Sequence, residues 1–256
     1  MPLQAGPGFD DLYARIVASA VLTDIWRTAF GAEYPDEASP FSFVTRTDLA
    51  ALVSGLSLGP GQRLVDLGCG CGGIDVCLAH QTGATVVGVD SSAVAVAQAR
   101  NLVERRRLHP RATFLESDAS ATSLPLHAFD GALCLDALQM MPSPPAVLAE
   151  IARLLRPGGK VGLTTWSLSE PWRGRPVIPD YRPLLEAEGF EVLSYDEPDG
   201  WKARQLQVYE LMRQRRTELA AEVGSTASSL LLDEAEKAPA ALAKSKRIRV
   251  IARSKE

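Results

Sequence analysis

Gly68, Gly70, Gly72 and Gly73 stand directly behind the apolar run at 64–67. A glycine cluster after a strand lets backbone N–H groups press against a ligand that side chains would hold off. Asp90 lies 20 residues past Gly70, at the end of the next apolar run, where a carboxylate can accept from a pair of ribose hydroxyls. Gly68, Gly70 and Gly73 also satisfy GxGxxG, so an NAD(P)-dependent oxidoreductase is a competing reading. Asp66 opposes it, because a carboxylate behind the loop repels a pyrophosphate and suits a ligand with an ammonium or sulfonium centre. Asp136, at the end of the fourth expected strand and followed by Gln139, Met140 and Met141, is a candidate base or ligand contact. His127 is a second candidate base, although a surface turn is its plainer home.

Several other clusters carry less. Cys69, Cys71 and Cys77 are close in sequence, but glycines alternate with the first two and no histidine or CxxC partner completes a ligand set, so no metal is expected. Four cysteines in 256 residues give no disulfide framework. The run Arg105, Arg106 and Arg107, with Arg111 nearby, joins a helix end to the start of a strand, at the edge opposite a ligand crevice, and reads as solvated surface.

These residues need a frame. Apolar runs at 64–67, 85–89, 112–115, 131–135 and 160–166 alternate with helical stretches at 74–80, 93–106 and 146–155, the pattern of a parallel sheet covered on both faces. Ser91 and Ser92 are good caps for the alanine-rich helix, and the run at 156–159, Arg-Pro-Gly-Gly, stops the helix before the fifth strand. Beyond Trp166 a proline-rich connection leads to a short helix at 181–188 and a sixth strand at 190–195. Helices are then expected at 201–222 and 226–237, the second ended by Pro239, before a last strand at 247–252. That strand alternates charged with apolar side chains, which suits a partly exposed position.

The first 60 residues form a different unit. Leu12, Ile16, Ala20 and Val21 recur at helical spacing, and a second helix starts near Thr47 and Asp48, either of which could cap it. Seven of the 16 aromatic residues (Phe9, Tyr13, Trp26, Phe30, Tyr34, Phe41 and Phe43) fall within the first 43 positions, which favours a helical cap offering an apolar face. The expected division is a cap at 1–60 and an α/β core at 61–256. A hydrophobic content of 46% and a net charge of -4 describe a chain able to bury a core and lacking the basic excess of nucleic-acid binders. No apolar run approaches a bilayer span and the first residues lack the features of a leader, so a cytoplasmic location and no membrane contact are expected.

The segments VDLGCGCGG at 65–73, VVGVDSS at 86–92, Glu116 to Ala119, Phe129 to Asp136 and Leu154 to Lys160 together resemble the class I S-adenosylmethionine-dependent methyltransferases over about residues 45–166. The resemblance implies a doubly wound, seven-stranded, mostly parallel sheet with an antiparallel last strand. It implies S-adenosylmethionine as cofactor: Gly68, Gly70 and Gly72 around the methionyl part, Asp66 toward the amino group through water or backbone, Asp90 at the ribose, Asp118 with Ala119 at the adenine edge, and Cys69, Ser91 and Leu135 as further cofactor contacts. The stretch from Phe41 to Arg46 resembles the cofactor-covering segment of small-molecule members, which adds Phe43, Thr45 and Arg46. Tyr13, Trp26, Tyr34, Gln139, Met140 and Trp166 are the expected contacts of a small, largely apolar, natural-product-like acceptor. The expected reaction is methyl transfer to O, N or C, with a cofactor-retaining cyclase as the alternative within the fold and a non-catalytic binder opposed by the intact loop and Asp90. The choice between monomer and homodimer stays open.

Overall fold

A computed structural model describes residues 7–255 apart from 37, 39, 41 and 173, and describes 7–9 and 11 by their backbone alone. Phe41 and the ring of Phe9 therefore lie outside the described residues. In chain order the elements are α1 (Pro7–Ile16), α2 (Ala20–Phe30), α3 (Arg46–Leu56), β1 (Arg63–Leu67), α4 (Gly73–Thr82), β2 (Thr85–Asp90), α5 (Ala93–Arg106) and β3 (Ala112–Glu116). There follow β4 (Phe129–Leu135), α6 (Pro144–Leu154), β5 (Leu155–Leu168), α7 (Arg182–Ala187), β6 (Phe190–Asp196), α8 (Trp201–Gln214), α9 (Arg216–Val223), α10 (Ser225–Leu242) and β7 (Ser245–Ser254).

The strands form one seven-stranded sheet in the order β3-β2-β1-β4-β5-β7-β6. Neighbours from β3 to β5 are parallel, and β7 runs antiparallel to both β5 and β6. The chain leaves β1 toward β2 and β3, then returns to lay β4 on the other side of β1. A crevice therefore opens beyond the carboxyl ends of β1 and β4, where such sheets bind ligands. Alternation along each strand feeds two cores: Leu64, Val86, Phe114 and Leu133 pack with α3, α4 and α5, whereas Val65, Leu67, Phe129 and Cys134 pack with α6 and α7.

A third core lies above the crevice. Leu12, Ile16, Leu22, Ile25 and Trp26 from α1 and α2 pack with Val208, Met212, Leu219, Leu231 and Ala235 from α8, α9 and α10. Glu222 of α9 fastens the two groups by accepting from the Ala20 and Val21 N–H groups at 2.8 and 3.0 Å, together with the Ser19 hydroxyl. A carboxylate at a helix N-terminus satisfies orphan donors and complements the helix dipole.

Several boundaries differ from expectation for identifiable reasons. Thr45, not Thr47 or Asp48, caps α3: its Oγ1 accepts from the Asp48 N–H at 2.9 Å while Asp48 accepts from the Thr45 N–H at 3.1 Å, a reciprocal box. The helix expected at 201–222 divides at Arg215. Pro239 does not end α10, which continues to Leu242; the Ala235 carbonyl, which a proline cannot serve, accepts instead from Arg213 Nη1 at 2.5 Å. Strand β5 starts at Leu155, and its register against β4 shifts between Phe129 and Gly131.

The largest departure is β7, which lies inside the sheet. Ile248, Val250 and Ala252 are buried on one face, and on the other Arg247 is 1% exposed. Its charge alternation answers buried carboxylates instead of solvent. Arg247 donates to Asp48 Oδ2 and to Asp136 Oδ1, both at 2.9 Å, its guanidinium lies 5.4 Å from the centre of the Trp166 ring, and Arg249 reaches Asp48 Oδ1 at 3.1 Å. Burial pushes the Asp48 carboxyl up, but Arg247 and the Thr45 N–H outweigh it and hold it below its usual range. Removing one partner of a buried ion pair strands the other. Arg247→Leu is therefore expected to lose about 3–5 kcal/mol in urea unfolding, with part recovered by adding Asp136→Asn; a loss below about 1 kcal/mol would show the pair to be dispensable.

Candidate active site

The glycine loop turns where β1 ends. Gly68 and Cys69 donate their N–H groups to the Val89 carbonyl at 2.8 and 3.1 Å, which folds the loop against β2. Gly72 adopts φ +71°, and a Cβ there would meet the Phe114 ring at 2.5 Å. Both the backbone and the space therefore require glycine. Asp90 braces the turn, with Oδ2 accepting from the Gly70 N–H at 2.8 Å and Oδ1 from the Ser92 N–H at 2.9 Å. Each oxygen retains capacity for a further donor. Burial pushes the Asp90 carboxyl up, against the opposing pull of the Ser92 and Gly70 N–H groups.

Helix α1 lies across this loop. Tyr13 places its ring beside Gly70, and Asp10 accepts from the Ser92 hydroxyl, the same side chain that caps α5. Burial raises the Tyr13 phenol well above its usual range, with Asp90, Cys71 and Cys69 adding to the effect. The Cys71 thiol is pushed up to about 12, by burial and then by Asp90, so it stands as a neutral packing group.

Asp66 and Asp75 form a buried carboxyl pair behind the loop, Asp66 from β1 and Asp75 from the first turn of α4. Asp66 Oδ1 and both Asp75 carboxyl oxygens find no hydrogen-bond partner among the described residues. Burial pushes Asp66 up to about 7, with Asp90 adding to the rise. Asp75 rises further, through burial and then the charge of Asp66.

A cavity of about 640 Å³ runs from the glycine loop to the helical roof. It is lined by Asp66, Gly68, Cys69, Gly70, Gly72, Asp90, Ser91, Asp118, Ala119, Leu135 and Asp136, and by Tyr13, Trp26, Phe43, Gln139, Met140 and Trp166, so most of the sequence-predicted residues meet in one place. Four do not line it. Thr45 is occupied as the cap of α3, and Arg46 pairs with Asp36 at 2.6 Å. Tyr34 is buried with its hydroxyl donating to the Ala38 carbonyl at 2.7 Å. His127 lies at the opposite end of β4, its Nδ1 2.7 Å from the Leu155 carbonyl oxygen.

Asp136 lines the cavity but is heavily committed. Oδ1 meets Arg247 and accepts from Thr164 Oγ1 at 2.8 Å, while Oδ2 accepts from the Phe43 N–H at 2.7 Å and Ser42 Oγ at 3.4 Å. The Trp26 indole donates to the Ser42 carbonyl at 2.8 Å, so this segment is held from both sides over the crevice. Among the described residues no three histidine, cysteine or acidic side chains converge as a metal site, and no helix is long and apolar enough to cross a membrane.

Residues 65–163 match the family described as a methyltransferase domain. A sterol 24-C-methyltransferase of Schizosaccharomyces pombe is 28% identical over 60% of this chain and 40% of its own length. The 27-O-demethylrifamycin SV methyltransferase of Amycolatopsis mediterranei is 29% identical over 63% of this chain and 58% of its own. The chain thus spans about half the length of these curated relatives. The solved structure of the [4+2]-cyclase SpnF shares the fold, with a TM-score of 0.74 at 23% identity over 92% of this chain and 93% of that one. Residues 65–163 thus carry the pattern of a methyltransferase domain, on a fold shared with the solved neighbour.

The residues that sequence reasoning missed come from outside the loop-bearing half. Asp10, Arg175, Gln205, Tyr209, Met212, Leu231 and Glu234 all line the cavity. The residues in α8 and α10 read in sequence only as parts of amphipathic helices, and no local spacing marks them. Asp75 was hidden likewise inside the helix that follows the loop.

The carboxyl pair gives this protein a pH signature. Asp66 has a folded value near 7 against an ordinary 3.8, so the folded state holds the extra proton between those limits. The stabilisation is complete below about pH 4 and lost as pH rises to about 7. In Asp75→Asn the new amide can donate to ionised Asp66. The variant is therefore expected to gain stability over wild type at pH 8 and less at pH 5, read by urea unfolding at the two values; a difference independent of pH would contradict the assignment.

Proposed function

We propose that this chain transfers a methyl group from S-adenosylmethionine to an O, N or C atom of a small, largely apolar, natural-product-like acceptor. The observation that carries this reading is one continuous cavity, which joins the glycine loop and Asp90 to a wall of Trp26, Phe43, Trp166 and Met212. The residues fit the cofactor. Gly68, Cys69, Gly70 and Gly72 would hold the methionyl part, Asp90 and Ser91 the ribose, and Asp118, Ala119 and Leu135 the adenine end. Asp66, whose Oδ1 has no hydrogen-bond partner among the described residues, would face the ammonium side, where a cation stabilises its ionised form. The same carboxyl argues against a pyrophosphate and hence against an NAD(P)-dependent enzyme.

When bound, S-adenosylmethionine supplies an electrophilic methyl on a sulfonium, so the chain's task is alignment and exclusion of water. Tyr13 and Phe43 would close over the cofactor, with the helices of the first 60 residues and α8–α10 acting as the cover. Asp136 is read as a positioning residue: four donors around its carboxylate fix the Ser42–Phe43 segment and leave proton transfer to other groups. Relatives named for sterol and rifamycin methylation support an extended apolar acceptor. The fold shared with a [4+2]-cyclase supports cyclisation as the second reading.

Calorimetric titration with S-adenosylmethionine, S-adenosylhomocysteine and NAD tests the site. The first two are expected to bind and NAD to fail, and Asp90→Ala is expected to lose about 1–3 kcal/mol of affinity as a partner of the ribose hydroxyls is removed. Equal affinity in wild type and variant would defeat the assignment. Incubation with methyl-labelled cofactor and a panel of phenols, amines, polyketides and terpenoids is expected to yield labelled product; tight binding without transfer would favour cyclisation.

A further inference from the structure

The roof end of the cavity carries one polar assembly in an otherwise aromatic and aliphatic wall. Trp166, Arg175, Gln205, Tyr209 and Glu234 all line it, from β5, the segment after β5, α8 and α10. Trp166 Nε1 donates to Gln205 Oε1 at 3.1 Å, and Gln205 Nε2 donates to the Tyr209 hydroxyl oxygen at 3.0 Å. An indole can only donate, so it fixes the amide's orientation, and the amide then makes Tyr209 an acceptor on that side. Glu234 lines the same wall, and burial and then the charge of Glu234 raise the Tyr209 phenol above its usual range. The chain of donors has one polarity and ends on the Tyr209 hydroxyl.

Arg175 supplies the opposite charge, with Nη2 3.9 Å from Glu234 Oε1. That separation neutralises charge but exceeds a hydrogen bond. Both side chains are mostly buried, at 17% and 18% exposure. A carboxylate has about four acceptor sites, so Glu234 can take a donor from a ligand beside its contacts within the protein. The neighbouring cation disfavours an ammonium, and the carboxylate disfavours an anion. A neutral hydroxyl suits both, since it can donate to Glu234 while its oxygen accepts from Arg175.

We infer that Glu234 and Arg175, set in the same cavity wall as the Trp166–Gln205–Tyr209 chain, form the specificity site for a neutral hydroxyl on an otherwise apolar acceptor. This rests on the methyl-transfer reading above and adds what the acceptor must carry at its distal end. Glu234 is a binding and selectivity residue in this assignment, and the position of the methylated atom is set separately, at the cofactor end.

The test uses the full chain saturated with S-adenosylhomocysteine and two probes of matched shape, 2-naphthol and naphthalene, titrated by fluorescence. Wild type is expected to bind 2-naphthol about ten-fold more tightly than naphthalene, in line with a hydrogen bond to a charged group. Glu234→Gln is expected to reduce that preference to about two-fold while leaving naphthalene and S-adenosylhomocysteine affinities unchanged, a pattern that loss of packing would not give. Equal binding of the two probes by wild type, no binding of 2-naphthol at its solubility limit, or an unchanged preference in Glu234→Gln would each overturn the inference while the cofactor still binds. Failure of S-adenosylhomocysteine to bind wild type would overturn the methyl-transfer reading, and this inference with it.

Discussion

The buried guanidinium of Arg247 is the interaction on which the two ends of this molecule depend. It sits between Asp48 and Asp136 and against the face of Trp166. Those contacts bring together β7, the start of α3, the end of β4 and the last turn of β5. An isolated charge this deep would cost several kcal/mol, and the arrangement is stable because both carboxylates are themselves held by donors from Thr45, Thr164 and Phe43. Arg247 Nε is the one side-chain donor of the group left without a partner among the described residues.

The consequence for chemistry is a division of labour. Near the cofactor end, Asp90 shapes the glycine loop and Asp136 shapes the segment above it, so the acidic residues that look most reactive are occupied with backbone N–H groups. Direct displacement at a sulfonium asks for little else. At the roof end the polarity comes from one hydrogen-bonded chain anchored on Trp166. That residue is shared: its indole edge serves Gln205 while its ring face meets Arg247 and Phe43.

What could be read from the sequence was local. The turn after β1, Asp90 at the end of β2 and the Ser92 cap each depend on neighbours within a few residues of a strand end, and the alternation of strands with helices carries the sheet. What escaped was set by distance along the chain. Arg247 read as an exposed strand residue because its partners lie about 110 and 200 positions away. Tyr34 and Thr45 have the right chemistry for a site but are spent on Ala38 and Asp48, a competition between local capping and ligand binding that spacing cannot decide. Pro239 carried the usual meaning of a helix stop, and only the arrival of Arg213 at the Ala235 carbonyl removes it.

The joint between Glu222 and the start of α2 fixes how the roof can diverge. Its halves come from opposite ends of the chain, yet they share one apolar interior and one carboxylate-capped seam. A chimera that imports the leading helices of a relative with a different acceptor, while keeping the native tail, would place foreign side chains against an unmatched partner. Remodelling the proposed acceptor chamber therefore means exchanging both segments together, with the sheet between them left as a reusable chassis.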